Sequence, residues 1–195
     1  ICAPAQPSAV FRASVLPVSS SHANLAAAMA VLTRAAARAL LRKTRSPALG
    51  LDVSPSRVGL AVSGPGGGAL PLGTIKRAAR DVRAVSGKIA AAATRHRAAL
   101  LAVGWPLEPS GVAGERCAAV RAFVDAVRAE AALPPVVFVD ERFTTQAARH
   151  ALGEAGAATA HGAEDAAAAA LIVEALLEEE RAPPSRFFAD DGAPG

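Results

Sequence analysis

Leu49-Gly50-Leu51-Asp52-Val53-Ser54-Pro55-Ser56-Arg57-Val58-Gly59-Leu60-Ala61-Val62-Ser63 is the stretch on which the fold turns. Two apolar runs, Ala48 to Val53 and Arg57 to Ser63, suit a buried extended backbone, and the Ser-Pro-Ser between them is a turn signal. Together they predict two antiparallel strands. The cluster Gly66-Gly67-Gly68 predicts a second turn, followed by a third strand at Ala69 to Ile75. After this meander the period changes. Asp81 to Arg97 reads as a helix, Ala98 to Gly104 as a strand, Val112 to Ala132 as a helix and Pro135 to Val139 as a strand, with helices at Thr144 to Ala155 and Ala163 to Glu180. Val136-Val137-Phe138-Val139 is apolar without alternation, as a central strand covered on both faces requires. The expected architecture is an α/β domain: a mixed five-stranded sheet, three antiparallel strands and then strands alternating with helices, with helices on both faces.

Composition narrows the class. The chain has 195 residues, 52% of them hydrophobic but only 4% aromatic, because much of the apolar content is alanine. That length suits one domain, which buries roughly two-thirds of its unfolded surface and needs no disulfide staples. Cys2 and Cys117 lie far apart, without metal-ligand spacing. No apolar run approaches the roughly 18 residues that span a bilayer, so no membrane association is expected of the mature chain. The net charge of +4 is unevenly placed. Residues 1–51 hold six Lys and Arg and no acid, whereas residues 52–195 hold 15 basic against 17 acidic residues. Residues 1–46, rich in Ala and Ser with Arg34, Arg38 and Arg42 on one helical face, have the composition of an organellar transit peptide, disordered or partly helical. The chloroplast is the expected destination, with the mitochondrion as the alternative and the cytoplasm if this stretch is not a transit peptide. Residues 47–182 then form the domain, and 183–195 a flexible tail.

The element order matches that of the ribonuclease H-like fold, and particular segments make the likeness narrower. The opening stretch, Pro71-Leu72-Gly73-Thr74-Ile75, Val103-Gly104-Trp105-Pro106-Leu107 and Asp140-Glu141-Arg142-Phe143-Thr144-Thr145 resemble the corresponding segments of the YqgF/RuvX family, as does the helix beginning near Asp165. The likeness covers about residues 47–180. It implies a nuclease that trims the precursor of small-subunit ribosomal RNA, with ribosomal precursor particles as partners. The alternatives are a Holliday junction resolvase-like DNA endonuclease acting on structured DNA and a noncatalytic RNA-binding module. Either a monomer or a homodimer fits. The first-strand motif also resembles the phosphate loop of actin-like ATPases, but those need two such domains and this chain has room for one.

The resemblance implies Asp52, Glu141 and Asp165 as catalytic residues and ligands of Mg2+ or Mn2+. Their chemistry agrees, because phosphodiester hydrolysis can use divalent ions held by converging carboxylates. Asp52 interrupts an apolar strand on the face of Ala48 and Gly50, whose small side chains leave room for a phosphate. Glu141 ends a buried strand, and Asp165 opens a helix. Singly, each has a plainer explanation: a turn, an ion pair with Arg142, a helix's first turn. Their joint occurrence in this order, taken with the family resemblance, outweighs those explanations. Asp140 reads as a supporting group, Thr144 as a helix cap, and His96, His150 and His161 as surface residues.

Two segments depart from the family pattern: Ser54-Pro55-Ser56-Arg57 stands for Gly-Thr-Lys-Arg, and Glu108-Pro109-Ser110-Gly111 for Asn-Met-Asp-Gly. Arg57, Lys76, Arg77, Arg80, Arg83, Lys88 and Arg142 are the expected nucleic-acid contacts. Most of them belong to a run of seven cations over residues 76–97 that faces Asp81 alone. Trp105 suits either a base-stacking platform or a packing plug.

Overall fold

The structure, a computed structural model, describes residues 30–77, 81–141 and 163–178. The helix expected at Thr144 to Ala155 and the tail lie outside these residues. Chain order is β1 (Val31–Leu32), α1 (Arg34–Thr44), β2 (Ala48–Val53), β3 (Arg57–Ser63), β4 (Ala69–Lys76), α2 (Val82–Arg95), β5 (Leu100–Trp105), α3 (Glu115–Glu130), β6 (Val136–Asp140) and α4 (Ala163–Leu177). The strands form one sheet in the order β1-β6-β5-β2-β3-β4. Pairing is antiparallel for β2/β3 and β3/β4 and parallel for β2/β5, β5/β6 and β6/β1. This is the mixed sheet of a ribonuclease H-like fold. β2 is central, so its carboxyl end, where Asp52 stands, has strands on both sides.

Six strands rather than five is a correction to the expected sheet. The extra strand comes from the stretch expected to be a leader: Val31 pairs with Val136, and the Ala30 carbonyl accepts a hydrogen bond from the Val136 amide at 3.0 Å. The helix that follows is capped by Thr33, whose hydroxyl oxygen accepts from the Ala36 amide at 3.2 Å. Ala37 is fully buried, and Arg38 Nε donates to the Leu176 carbonyl at 2.6 Å, satisfying an unpaired acceptor at the end of α4. The folded unit therefore includes residues 30–46, ahead of the expected boundary at 47. The basic residues are shared between a docked helix and whatever precedes it.

The two faces of the sheet are packed differently. Toward α2 and α3, large side chains interlock: Leu49, Leu51, Val58, Leu60, Leu101 and Val103 meet Val85, Ile89, Val120, Phe123, Val124 and Val127. Toward α4 the meeting is closer. A Cβ on Gly50 would collide with the Ala169 carbonyl and the Val173 side chain, and one on Gly59 with the Asp165 carbonyl. Ala166, Ala169, Ala170 and Val173, spaced at i, i+3, i+4 and i+7, form the face of α4 turned to the sheet. The alanine-rich sequence of α4 is thus what allows its backbone to rest on strand glycines. Among the described residues no helix is long and apolar enough to cross a membrane.

Candidate active site

The alternation of side chains along β2 puts Ala48, Gly50 and Asp52 on the α4 face. Across the sheet, Asp52 pairs with Gly59 of β3, and continuing the β2/β5 register past Leu51 and Val103 brings Gly104 level with it on the other side. Asp52 therefore lies in a row of glycine, carboxylate, glycine. The room over Gly59 is taken by the backbone of Asp165, and the room over Gly104 by the carboxylate of Glu141 and the end of Ile172. Each glycine lets a second acid approach Asp52. Gly50 does not do what its size suggested: its room is filled by α4, so it leaves no space for a phosphate.

Electrostatics records the convergence. Burial, reinforced by the nearby Asp165 and opposed by Arg116, pushes the Asp52 carboxyl up from its ordinary range to about 6. Burial, then Asp52 and Asp140, push Glu141 up to about 7, again opposed by Arg116. Asp165 is placed differently, since Arg57 Nε donates to its Oδ2 at 2.6 Å. Among the described residues no three His, Cys, Asp or Glu side chains form a group able to hold one metal ion. Asp52 and Glu141 lie within electrostatic reach of each other, and Asp165 lies within electrostatic reach of Asp52 with its carboxylate on Arg57. Two half-buried carboxylates whose proton affinity is raised first by burial, and then by Asp165 at Asp52 and by Asp52 at Glu141, suit a hard divalent cation, which takes one or two protein carboxylates and completes its shell with water and phosphate.

The turn that carries Arg57 is firmly held. Ser54 and Arg57 exchange backbone and hydroxyl hydrogen bonds of 2.9 to 3.1 Å. Arg77 donates from its amide to the Ser56 carbonyl at 2.8 Å and from Nη1 to the Ser54 carbonyl at 3.1 Å, while its guanidinium lies 4.4 Å from the centre of the Phe123 ring. Arg77, one of the expected nucleic-acid contacts, braces the turn. Arg57 likewise spends its Nε on Asp165. Lys76, Arg83 and Lys88 are exposed. Arg80 and Arg142 lie outside the described residues, as do Thr144, His150 and His161.

Arg116 was missed by the sequence reading. It stands exposed in the first turn of α3, where Cys117 Sγ donates to the Pro106 carbonyl at 3.3 Å and so fixes that turn against the end of β5. Its charge acts on both Asp52 and Glu141. The signal available was a cation at a helix start two elements away from the acids, which only the packing of α3 brings near. Trp105 proves to be a packing residue, its ring 4.5 Å from Phe138 at 50°.

Comparison with known proteins covers most of this unit. The family model described as "RuvX: Holliday junction resolvase" matches residues 46–179. A protein of Moorella thermoacetica named "Putative pre-16S rRNA nuclease" is 41% identical over 108 residues, 55% of this chain and 75% of that protein. A protein of the same name from Frankia casuarinae is 36% identical over 109 residues, and there the match spans only about half, 54%, of the relative's length. Among solved structures, Thermus thermophilus RuvC in complex with a Holliday junction substrate aligns with a TM-score of 0.46 at 22% identity, over 65% of this chain and 91% of that one.

Proposed function

Since this chain belongs to the RuvX family, we propose that it is a nuclease that hydrolyses phosphodiester bonds at the Asp52 and Glu141 end of the sheet. The substrate we assign is the precursor of small-subunit (16S-type) ribosomal RNA, after the names of its relatives. The observation that carries the reading is the glycine-flanked Asp52, onto which Glu141 and Asp165 close from two sides. Burying repelling carboxylates lowers stability, so a fold that does so at one strand end is arranged for chemistry there.

Asp52 and Glu141 would hold Mg2+ or Mn2+, which when bound activates water and neutralises charge on the phosphate. The chain's own residues do the remainder. The two carboxylates bind protons near neutral pH, so cation loading competes with protonation. Arg116, exposed beside both, draws the scissile phosphate toward them. Arg57 fixes Asp165, and through Ser54 and Ser56 Arg77 fixes Arg57.

Incubating the full chain with 5′-extended precursor rRNA and with a four-way DNA junction, in Mg2+, Mn2+ or chelator, tests this. RNA cleavage that needs the ion and disappears in Asp52→Asn is expected. Cleavage of the junction alone would transfer the chain to the resolvase reading, and RNA binding without cleavage to the noncatalytic one. An organellar location, the chloroplast first, belongs to the proposal on the acid-free composition of residues 1–51. A reporter fused after residue 29 that stayed in the cytosol would count against it.

A further inference from the structure

Away from the acids, a groove of about 470 Å3 runs between β4 and α2, lined by Leu60, Leu72, Lys88, Ala91, Arg95 and His96 among others. β4 is an edge strand, so the groove is open along its outer side. It is made by a bulge. Leu60 pairs with Gly73 and Ala61 with Pro71, which leaves Leu72 as the extra residue, and Gly73 adopts φ 113°, where a side chain is strained. The glycines at 50, 59 and 104 give up their room to other parts of the chain, whereas nothing lies within 4 Å of where a Cβ on Gly73 would be. The bulge explains the backbone of Gly73; it does not explain why the space beside it stays open.

The groove's charge has one sign. Lys88 and Arg95 are exposed and seven residues apart, on the same face of α2 and about 10 Å apart along it. Gly87 and Ala91 between them leave that face low. The ion pair found among the described residues joins Arg57 and Asp165, so neither cation has a carboxylate partner there. His96 at the end of α2 adds a further donor. The direction of the groove follows from topology. β4 runs parallel to β2 and ends at Lys76, on the edge of the sheet where Asp52 stands, and α2 runs back from that edge. The groove therefore runs along the sheet margin on the α2 face, across the sheet from the α4 face that carries Asp52, with the end of β4 toward the edge where the acids stand.

We infer that this groove is a track for single-stranded polynucleotide, holding the strand on one side of the scissile phosphate, with Lys88 and Arg95 on its phosphates and Leu60, Leu72 and Ala92 beneath its bases. The purpose of such a track rests on the nuclease reading; its existence is tested by binding alone. No Phe, Tyr or Trp lines it, so electrostatics rather than stacking dominates, and both RNA and DNA single strands fit.

The test uses the full chain in chelator, where no cleavage intervenes, and labelled oligonucleotides of about 4 and about 12 nucleotides, as RNA, as DNA and as duplex, read by fluorescence anisotropy at two salt concentrations. In the parent, affinity rises with single-strand length. Lys88→Ala/Arg95→Ala should lose about tenfold on the longer single strand and less than about twofold on the shorter, with a salt slope lower by about 1.4 from two lost phosphate contacts. Ala91→Trp, which keeps both charges and fills the groove from an exposed helix position, should reproduce the length-selective loss. Unchanged binding in both variants, equal losses at both lengths, or the same losses on duplex would each overturn the track. A loss confined to RNA or to DNA would support it and name its source. A chain that proved to cleave nothing would remove the nuclease reading while leaving these measurements to stand.

Discussion

The two faces of one sheet are built on opposite principles. Toward α2 and α3 the contact is between large side chains, the interlocking that supplies most of a domain's hydrophobic stabilisation. Toward α4 the packing is divided: over β5 and β6, Leu100, Val137 and Val139 meet Ile172 and Leu176, whereas over β2 and β3 the strands offer Gly50, Ala61 and Gly59 and the helix Ala166, Ala169 and Ala170, so backbone approaches backbone. The first face is side-chain packing throughout. The second gives up side-chain volume for proximity over β2 and β3, and that proximity brings Asp165, and over Gly104 Glu141, onto Asp52.

The sharpest way to break this contrast is to add one methyl group on each side. Gly59→Ala forces the first turn of α4 outward and Gly104→Ala displaces the Glu141 carboxylate; each should cost about 1–3 kcal/mol by overpacking and, because displacements near 1 Å disrupt reacting geometry, about 100-fold in cleavage. Leu101→Met, on the other face, should cost less than about 1.5 kcal/mol and leave cleavage within a few fold. Chemical denaturation and single-turnover assays on the three proteins decide it. Equal responses on the two faces would mean that closeness to α4 has no special role.

A second comparison sets residues 1–29 against residues 30–45. The chain that lacks only residues 1–29 is the reference. Removing both uncovers the β6 edge and the contacts of Leu32, Ala37, Leu40 and Leu41, which should cost about 3 kcal/mol, the order expected for a few partly buried aliphatic side chains. Thermal melts of the two truncations test this; matching curves would return residues 30–45 to the leader.

That segment also marks what the sequence could show. The meander and the alternation after it were legible, because strand periodicity and turn residues are local signals, whereas Asp52, Glu141 and Asp165 were singled out only with the help of the family resemblance. The docked segment was not, since an acid-free, Arg-rich stretch has the same composition whether it precedes a fold or packs on it. Thr33 before Arg34 was the available cap signal. Gly59 and Gly104 were visible as letters, but their meaning depends on register across β2, β3 and β5, which no single strand carries. The same holds for Arg116 and for Arg77, whose partners Ser54, Ser56 and Phe123 come from other elements.

The acid pair makes stability depend on pH in a direction that most carboxylates do not. Asp52 and Glu141 have folded-state pKa values of about 6 and about 7, above their unfolded ones. The folded state thus holds protons that the unfolded state releases, and the stability this confers is present below about pH 4 and lost as pH rises toward 7. Relative to Asp52→Asn/Glu141→Gln, the metal-free parent should lose about 5 kcal/mol between pH 4.5 and 7.5. Parallel stability profiles would show that the pair is not coupled as the packing requires.

The smallest effect tests how Asp165 is held. Arg57 contributes an ion pair from a side chain 42% exposed, so in chelator Arg57→Gln should lower stability by less than about 1 kcal/mol. Its influence on the neighbouring acids should be larger than that figure suggests. With the guanidinium gone, the Asp165 charge beside Asp52 is uncompensated, and the field that raises the Asp52 pKa also attracts a cation. Mg2+ binding at pH 8 without nucleic acid, followed by calorimetry, should therefore tighten a few fold, while RNA affinity falls because a cation near the phosphate path is lost. If Arg57 served only as a phosphate contact, RNA affinity would fall and Mg2+ affinity would stay where it was. Opposite movements of the two affinities would place Arg57 between them, exchanging Asp165 for the substrate's phosphate as the strand arrives.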